Sequence, residues 1–191
     1  SLRVVVAVLA GLVNKELVAS LQALGAGAVG VSGADGGLLR CRSADPALGF
    51  VGDVTGVDVA LLESVIAARS IPVVAPIGML YEGERATGQL VNVNADTAAG
   101  AIAAALAARW LVFMTDVPGV KASGEVVDAL TASGAHEMIE SGTIEGGMIP
   151  KVEACIAAAK AGARSVILDG REANALAKLI GGAKAGTVVT A

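Results

Sequence analysis

Residues 90–114 read LVNVNADTAAGAIAAALAARWLVFM, and this stretch decides the fold class. Leu90–Val93 is a short apolar run, Ala95–Ala108 a long alanine-rich one, and Trp110–Met114 a second short apolar run. Short apolar runs read as buried strands, while a long run of alanine favours helix. The stretch is therefore strand, helix, strand. Strands joined through a helix lie parallel, and such sheets are covered on both faces.

The same alternation continues outward. Toward the amino end, Leu2–Leu9 and Asn14–Leu24 are apolar at helical spacing, with Asn14 read as the cap of the second helix. Gly25–Gly27 ends that helix, and Ala28–Ser32 follows as a short buried strand. Gly33–Gly37 is a turn, Leu38–Arg42 and Phe50–Thr55 are strands, Asp58 caps a helix over Val59–Arg69, and Pro72–Ala75 is a strand between prolines. Tyr81–Gly88 is a polar excursion, a hairpin or a lid. Toward the carboxyl end, helices over Ser133–Glu140, Ile149–Ala161 and Glu172–Ile180 alternate with strands over Ser165–Leu168 and Thr187–Thr190. The class is α/β.

Composition removes whole classes of function. A chain of 191 residues that is 54% hydrophobic and 17% charged suits one domain and excludes an intrinsically disordered one. Its mean hydropathy of +0.70 comes largely from Ala and Val. The longest uncharged apolar runs, Val4–Val13 and Thr97–Ala108, fall short of the ~20 residues a membrane span needs. No membrane partner is expected, and no secretory signal is visible, so a cytoplasmic protein is expected. Fourteen Lys+Arg against 18 Asp+Glu leave a net charge of −4 without a basic block. With only Phe50, Tyr81, Trp110 and Phe113 available for stacking, nucleic acid is not an expected partner. Cys41 and Cys155 lack the spacing of a metal site and read as buried thiols. His136, beside Glu137 and Glu140, reads as part of a solvated helix face.

Ligands of α/β sheets bind beyond the carboxyl ends of the strands. Gly25-x-Gly27-x-x-Gly30 satisfies GxGxxG but follows a helix and enters a strand, the reverse of what a dinucleotide site needs. Asn92-Val-Asn94-Ala-Asp96-Thr97 stands between strand and helix. A helix cap accounts for Asn94, Asp96 and Thr97 but leaves Asn92 without a role. Thr115-Asp116-Val-Pro118-Gly119 follows the strand Trp110–Met114; a turn explains Pro118 and Gly119, but not a hydroxyl and a carboxylate at a strand end. In Glu145-Gly-Gly147-Met148-Ile-Pro150-Lys151, Pro150 suits the first helical turn, whereas Lys151 opposes the helix dipole by ~0.3–1 kcal/mol. Either Lys151 is simply solvated, or an anion meets it and the backbone N–H groups together. Ser32–Gly37 is a binding loop or a tight turn, and Asp169-Gly170-Arg171 a cap, an ion pair or a substrate contact.

Together these segments resemble the amino acid kinase family, most closely its acetylglutamate-phosphorylating branch. The likeness rests on Gly11–Val18, Val31–Gly37, Gly49–Thr55, Ile71–Gly78, Asn92–Gly100, Leu111–Gly119, Gly142–Lys151 and Asp169–Arg171, in the family's order. It implies a three-layer αβα sandwich with a mainly parallel central sheet. It also implies transfer of the γ-phosphoryl of ATP, with Mg2+, to the side-chain carboxylate of N-acetyl-L-glutamate in arginine biosynthesis. In that reading Lys151 and Asp96 are catalytic, Asn92 and Asn94 bind the acceptor, and Thr115, Asp116, Gly119, Gly147 and Met148 bind the nucleotide. Residues 1–90 would belong to the acyl-amino-acid half and 91–191 to the ATP half. A homo-oligomer is expected. The family's opening lysine- and glycine-rich strand-turn and its substrate arginine do not occur here, so the chain is expected to be part of a longer kinase. A kinase of carrier-bound aminoadipate and a non-catalytic nucleotide-binding homologue are the alternatives.

Overall fold

The computed structural model describes residues 1–191, which divide into two compact units, Ser1–Ala98 and Ala99–Ala191.

The first unit opens with α1 (Leu2–Ala23), one continuous 22-residue helix whose turns widen over Ala7–Val13. Two separate helices were expected; their joining makes this helix long and apolar enough, by length and composition alone, to cross a membrane. Asn14 is not a cap. Its buried amide donates to the carbonyls of Val31 and Val73, at 3.2 and 2.8 Å, in two neighbouring strands. Lys15 Nζ donates to Asn14 Oδ1 and to the Gly30 carbonyl. The helix is thereby fastened to the parallel pair β1 (Ala28–Ser32) and β4 (Ile71–Ala75). Gly30, the last glycine of the discarded GxGxxG, lies inside β1.

Between β1 and β4 come β2 (Leu39–Ser43), β3 (Val51–Val57) and α2 (Ala60–Ala67); the cap position of α2 is Val59, not the expected Asp58, which accepts from Ala60 N just ahead of the first turn. The Ser32–Gly37 segment closes on itself, with Asp35 accepting from both the amide and hydroxyl of Ser32. After β4, β5 (Ile77–Glu82) and β6 (Arg85–Val93) form the hairpin expected around Tyr81–Gly88. Strands β2, β3, β6 and β5 close into a ring, antiparallel within β2–β3 and β5–β6 and parallel across them. Leu39, Cys41, Ile77, Val91 and Val93 are buried in this unit. Arg40 holds the hairpin by pairing with Glu84 at 2.9 Å and lying over the Tyr81 ring.

Helix α3 (Ala95–Ala105) starts after β6 and continues into the second unit. It ends earlier than expected because Ala107 adopts φ 46 and closes the last turn. Strand β7 (Trp110–Thr115) leads to a small hairpin, β8 (Lys121–Ala122) and β9 (Glu125–Val126), and then to β10 (Ala129–Thr131). Helices α4 (Ala132–Glu140) and α5 (Met148–Lys160) precede β11 (Arg164–Asp169). Helix α6 (Ala175–Ile180) is shorter than expected, since Asn174 is left-handed at φ 61, and β12 (Thr187–Thr190) ends the fold. The sheet order is β10-β12-β11-β7, with β11 parallel to β7 and antiparallel to β12. Val152, Cys155 and Ile156 of α5 pack with Leu111, Phe113 and Ile167 in its main core.

Candidate functional site

In the first unit, Asn92 occupies the end of β6, paired with Val51 of β3 and Ile77 of β5. Its backbone N–H donates to the Phe50 carbonyl at 2.9 Å, so the ring of strands fixes this position on both sides. The half-buried side chain has no hydrogen bond within the chain. Asn94 is the helix cap: its Oδ1 accepts from the amide and hydroxyl of Thr97, at 3.0 and 3.2 Å. Asp96 is half-buried in the first turn of α3, where a carboxylate complements the dipole. The structure thus gathers Asn92, Asn94 and Asp96 at one strand-to-helix turn.

In the second unit, Thr115 ends β7 opposite Asp169 of β11, and the Thr115 hydroxyl donates to Asp116 Oδ1 at 3.2 Å. The position of α5 follows from topology. Its carboxyl end runs straight into β11, which lies parallel to β7, so α5 crosses antiparallel to both strands. A helix of 13 residues rises ~20 Å, enough to return its amino end to the strands' carboxyl edge. Gly147, Met148 and Lys151 therefore stand at the edge that also carries Thr115, Asp116 and Gly119. Gly147 is exposed, no side chain caps the helix, and no acidic residue occupies its first turn. Met148, partly buried, packs against the core, and Lys151, three residues later on the same helix, is half-buried.

Asp169 and Arg171 belong to this edge, a grouping that sequence reasoning left open between cap, ion pair and substrate contact. Arg171 bonds both Asp169 oxygens, at 2.9 and 2.7 Å, and its backbone N–H adds a third bond. These bonds lower the Asp169 carboxyl from 3.8 to about 2. The same pairing raises Arg171, with a smaller contribution from Asp116. Cross-strand register, which a sequence does not display, is what brings Asp169 beside Thr115. His136 is exposed, as expected of a solvated face. No three His, Cys, Asp or Glu side chains gather where they could hold a metal ion.

The amino acid kinase family pattern matches residues 1–169. The chain belongs to the amino acid kinase family. Among its relatives, proteins named acetylglutamate kinase from Dinoroseobacter shibae and Cereibacter sphaeroides are each 50% identical to this chain, over 92% and 99% of its length. The chain spans 60% and 64% of those two proteins. Among solved structures, smu.665 from Streptococcus mutans superposes with a TM-score of 0.79 at 31% identity, over 96% of this chain and 69% of that one. Carbamate kinase from Giardia lamblia, bound to AMP-PNP, shares the fold at a TM-score of 0.68 and 17% identity, over 93% and 67% of the two chains.

Proposed function

We propose that this amino acid kinase carries the ATP-binding half and part of the acceptor site of an acetylglutamate kinase, which transfers the γ-phosphoryl of ATP to the side-chain carboxylate of N-acetyl-L-glutamate. The reading is supported by a lysine in the first turn of a helix without a side-chain cap, whose course antiparallel to β11 carries its amino end toward the strand ends that bear Thr115 and Asp116. The names of the relatives at 50% identity support the same acceptor.

Phosphoryl transfer asks a protein for in-line positioning and for donors around spreading negative charge. Lys151 and the first N–H groups of α5 supply positive potential to the moving phosphoryl. Thr115, Asp116, Gly119, Gly147 and Met148 hold the nucleotide, Asn92 and Asn94 face the acceptor, and Asp96 joins Lys151 as a catalytic residue. In domain terms, residues 1–90 serve the acyl-amino-acid half and residues 91–191 the ATP half. No three His, Cys, Asp or Glu side chains gather to hold Mg2+ by protein alone, and Mg2+ accompanying ATP would offset phosphate charge. We place the protein in the cytoplasm as a homo-oligomer.

The test is an assay of the full-length protein with ATP and N-acetyl-L-glutamate. Acyl phosphate should form, and Lys151→Ala should lower kcat roughly a hundredfold or more with the far-ultraviolet spectrum preserved. Turnover of carrier-bound aminoadipate instead, or nucleotide binding without turnover, overturns the reading.

A further inference from the structure

Thr187 is the first residue of β12, it is wholly buried, and its hydroxyl is saturated by backbone partners distant in sequence. It accepts from the Val120 N–H at 2.9 Å and donates to the Val127 carbonyl at 2.7 Å. Val127 N in turn donates to the Val120 carbonyl at 2.9 Å, so one side chain completes the base of the β8–β9 hairpin. Because β12 runs antiparallel to β11, with Thr187 opposite Ile167, Thr187 lies near the sheet edge reached by Thr115 and Asp169.

The segment Thr115–Val120 is consequently held at both ends. Thr115 is held by the ladder to β11 and by the Gly170 N–H, which donates to the Thr115 carbonyl at 2.7 Å. Val120 is held by the Thr187 hydroxyl. Between them Gly119 packs directly on Thr187: a Cβ there would stand 2.7 Å from Thr187 Oγ1 and 3.1 Å from its backbone nitrogen. The Asp116–Gly119 turn is therefore bounded on its far side by a hydroxyl 67 residues beyond Val120 in the chain.

We propose that Thr187 is the positioning residue of the nucleotide loop, fixing Val120 so that Thr115, Asp116 and Gly119 meet the nucleotide in one arrangement. The proposal rests on the reading of that loop as nucleotide-binding. Thr187 touches no substrate; it acts through the loop backbone. Replacing its hydroxyl with a methyl group of the same shape leaves the Val120 N–H and the Val127 carbonyl without their buried partner, and the turn loosens.

The test compares Thr187→Val, Thr187→Ser and Asp116→Ala in the full-length protein, with KM for ATP and for the acceptor measured separately. Thr187→Val should raise the ATP KM about tenfold while the acceptor KM stays within about twofold, and Thr187→Ser should restore the ATP KM. An unchanged ATP KM in a folded Thr187→Val, or equal losses for both substrates, overturns the positioning role. If Asp116→Ala also leaves ATP binding untouched, the nucleotide reading of the loop fails first. Should Thr187→Val not fold, hydrogen exchange on the unaltered protein and on Thr187→Ser decides. The Val120 amide should be protected without nucleotide, and exchange as fast as in an open loop overturns the proposal.

Discussion

Asp169 sits where a strand ends, and its charge is governed by a residue two places later. Because its folded value is lowered from 3.8 to about 2, the pair contributes fully above pH ~4 and is lost as pH falls toward 2. A carboxyl-carbon titration should place the Asp169 midpoint near 2, and Arg171→Gln should return it toward 3.8. A midpoint indifferent to that change would show that Arg171 is not the cause. Cys41 is the opposite case. Burial raises its thiol to about 11, so at pH 8 it is neutral and enclosed within the ring of strands. Native protein should resist alkylation at Cys41 for as long as it stays folded, whereas denatured protein should react at once. Rapid native labelling, followed by mass spectrometry, would refute that enclosure.

At the scale of elements, the α3 start and the β12 start illustrate two kinds of legibility. Asn94 was readable as a cap because the side chain, the following Thr97 and the helix all lie within a few residues. Asn94→Ala should cost about 1 kcal/mol in thermal or denaturant unfolding, and Asn94→Asp only a fraction of that. Gly186 was not readable. It has φ 65, and a Cβ there would run into the Ile167 carbonyl oxygen across the sheet. Gly186→Ala should therefore destabilise the second unit by about 3 kcal/mol or more, measured by the same unfolding curve. Its reason for being glycine lies in the register of β12 on β11, and no local pattern encodes that. The same holds for β8 and β9, two residues each, which present no periodicity to detect. Strand β7 and helix α5 were plain from their apolar runs, and Pro150 marked the first turn of α5 correctly. Asn14 has the local form of a cap, an amide before Lys-Glu-Leu, but its partners, Val31 and Val73, lie in strands distant in sequence.

Across the whole molecule, the α/β alternation was legible while the closing of β2, β3, β6 and β5 into a ring was not, since that closure depends on pairings between distant residues. Helix α1 carries the largest consequence of such non-local structure. Read as separate runs it looked unremarkable; as one helix it leaves Val4, Val8, Leu12 and Leu17 at 60%, 41%, 58% and 50% exposure. Val4, Val8 and Leu12 recur every four residues, so they lie near one another along the helix. The helix is not free to leave the fold, because Asn14 and Lys15 bond to carbonyls of β1 and β4. An exposed apolar stripe on an anchored helix favours self-association, and a two-fold pairing would bring the stripe against its own copy. The full-length protein should sediment as a dimer or larger species. A Val8→Glu, Leu12→Glu double change should shift it toward monomer with its helix content preserved. A monomeric unaltered protein, or one whose α1 binds lipid vesicles without self-associating, would refute this use of the helix. If association is lost in the double variant while ATP still binds, α1 serves assembly, and the second unit's edge carries nucleotide recognition independently of it.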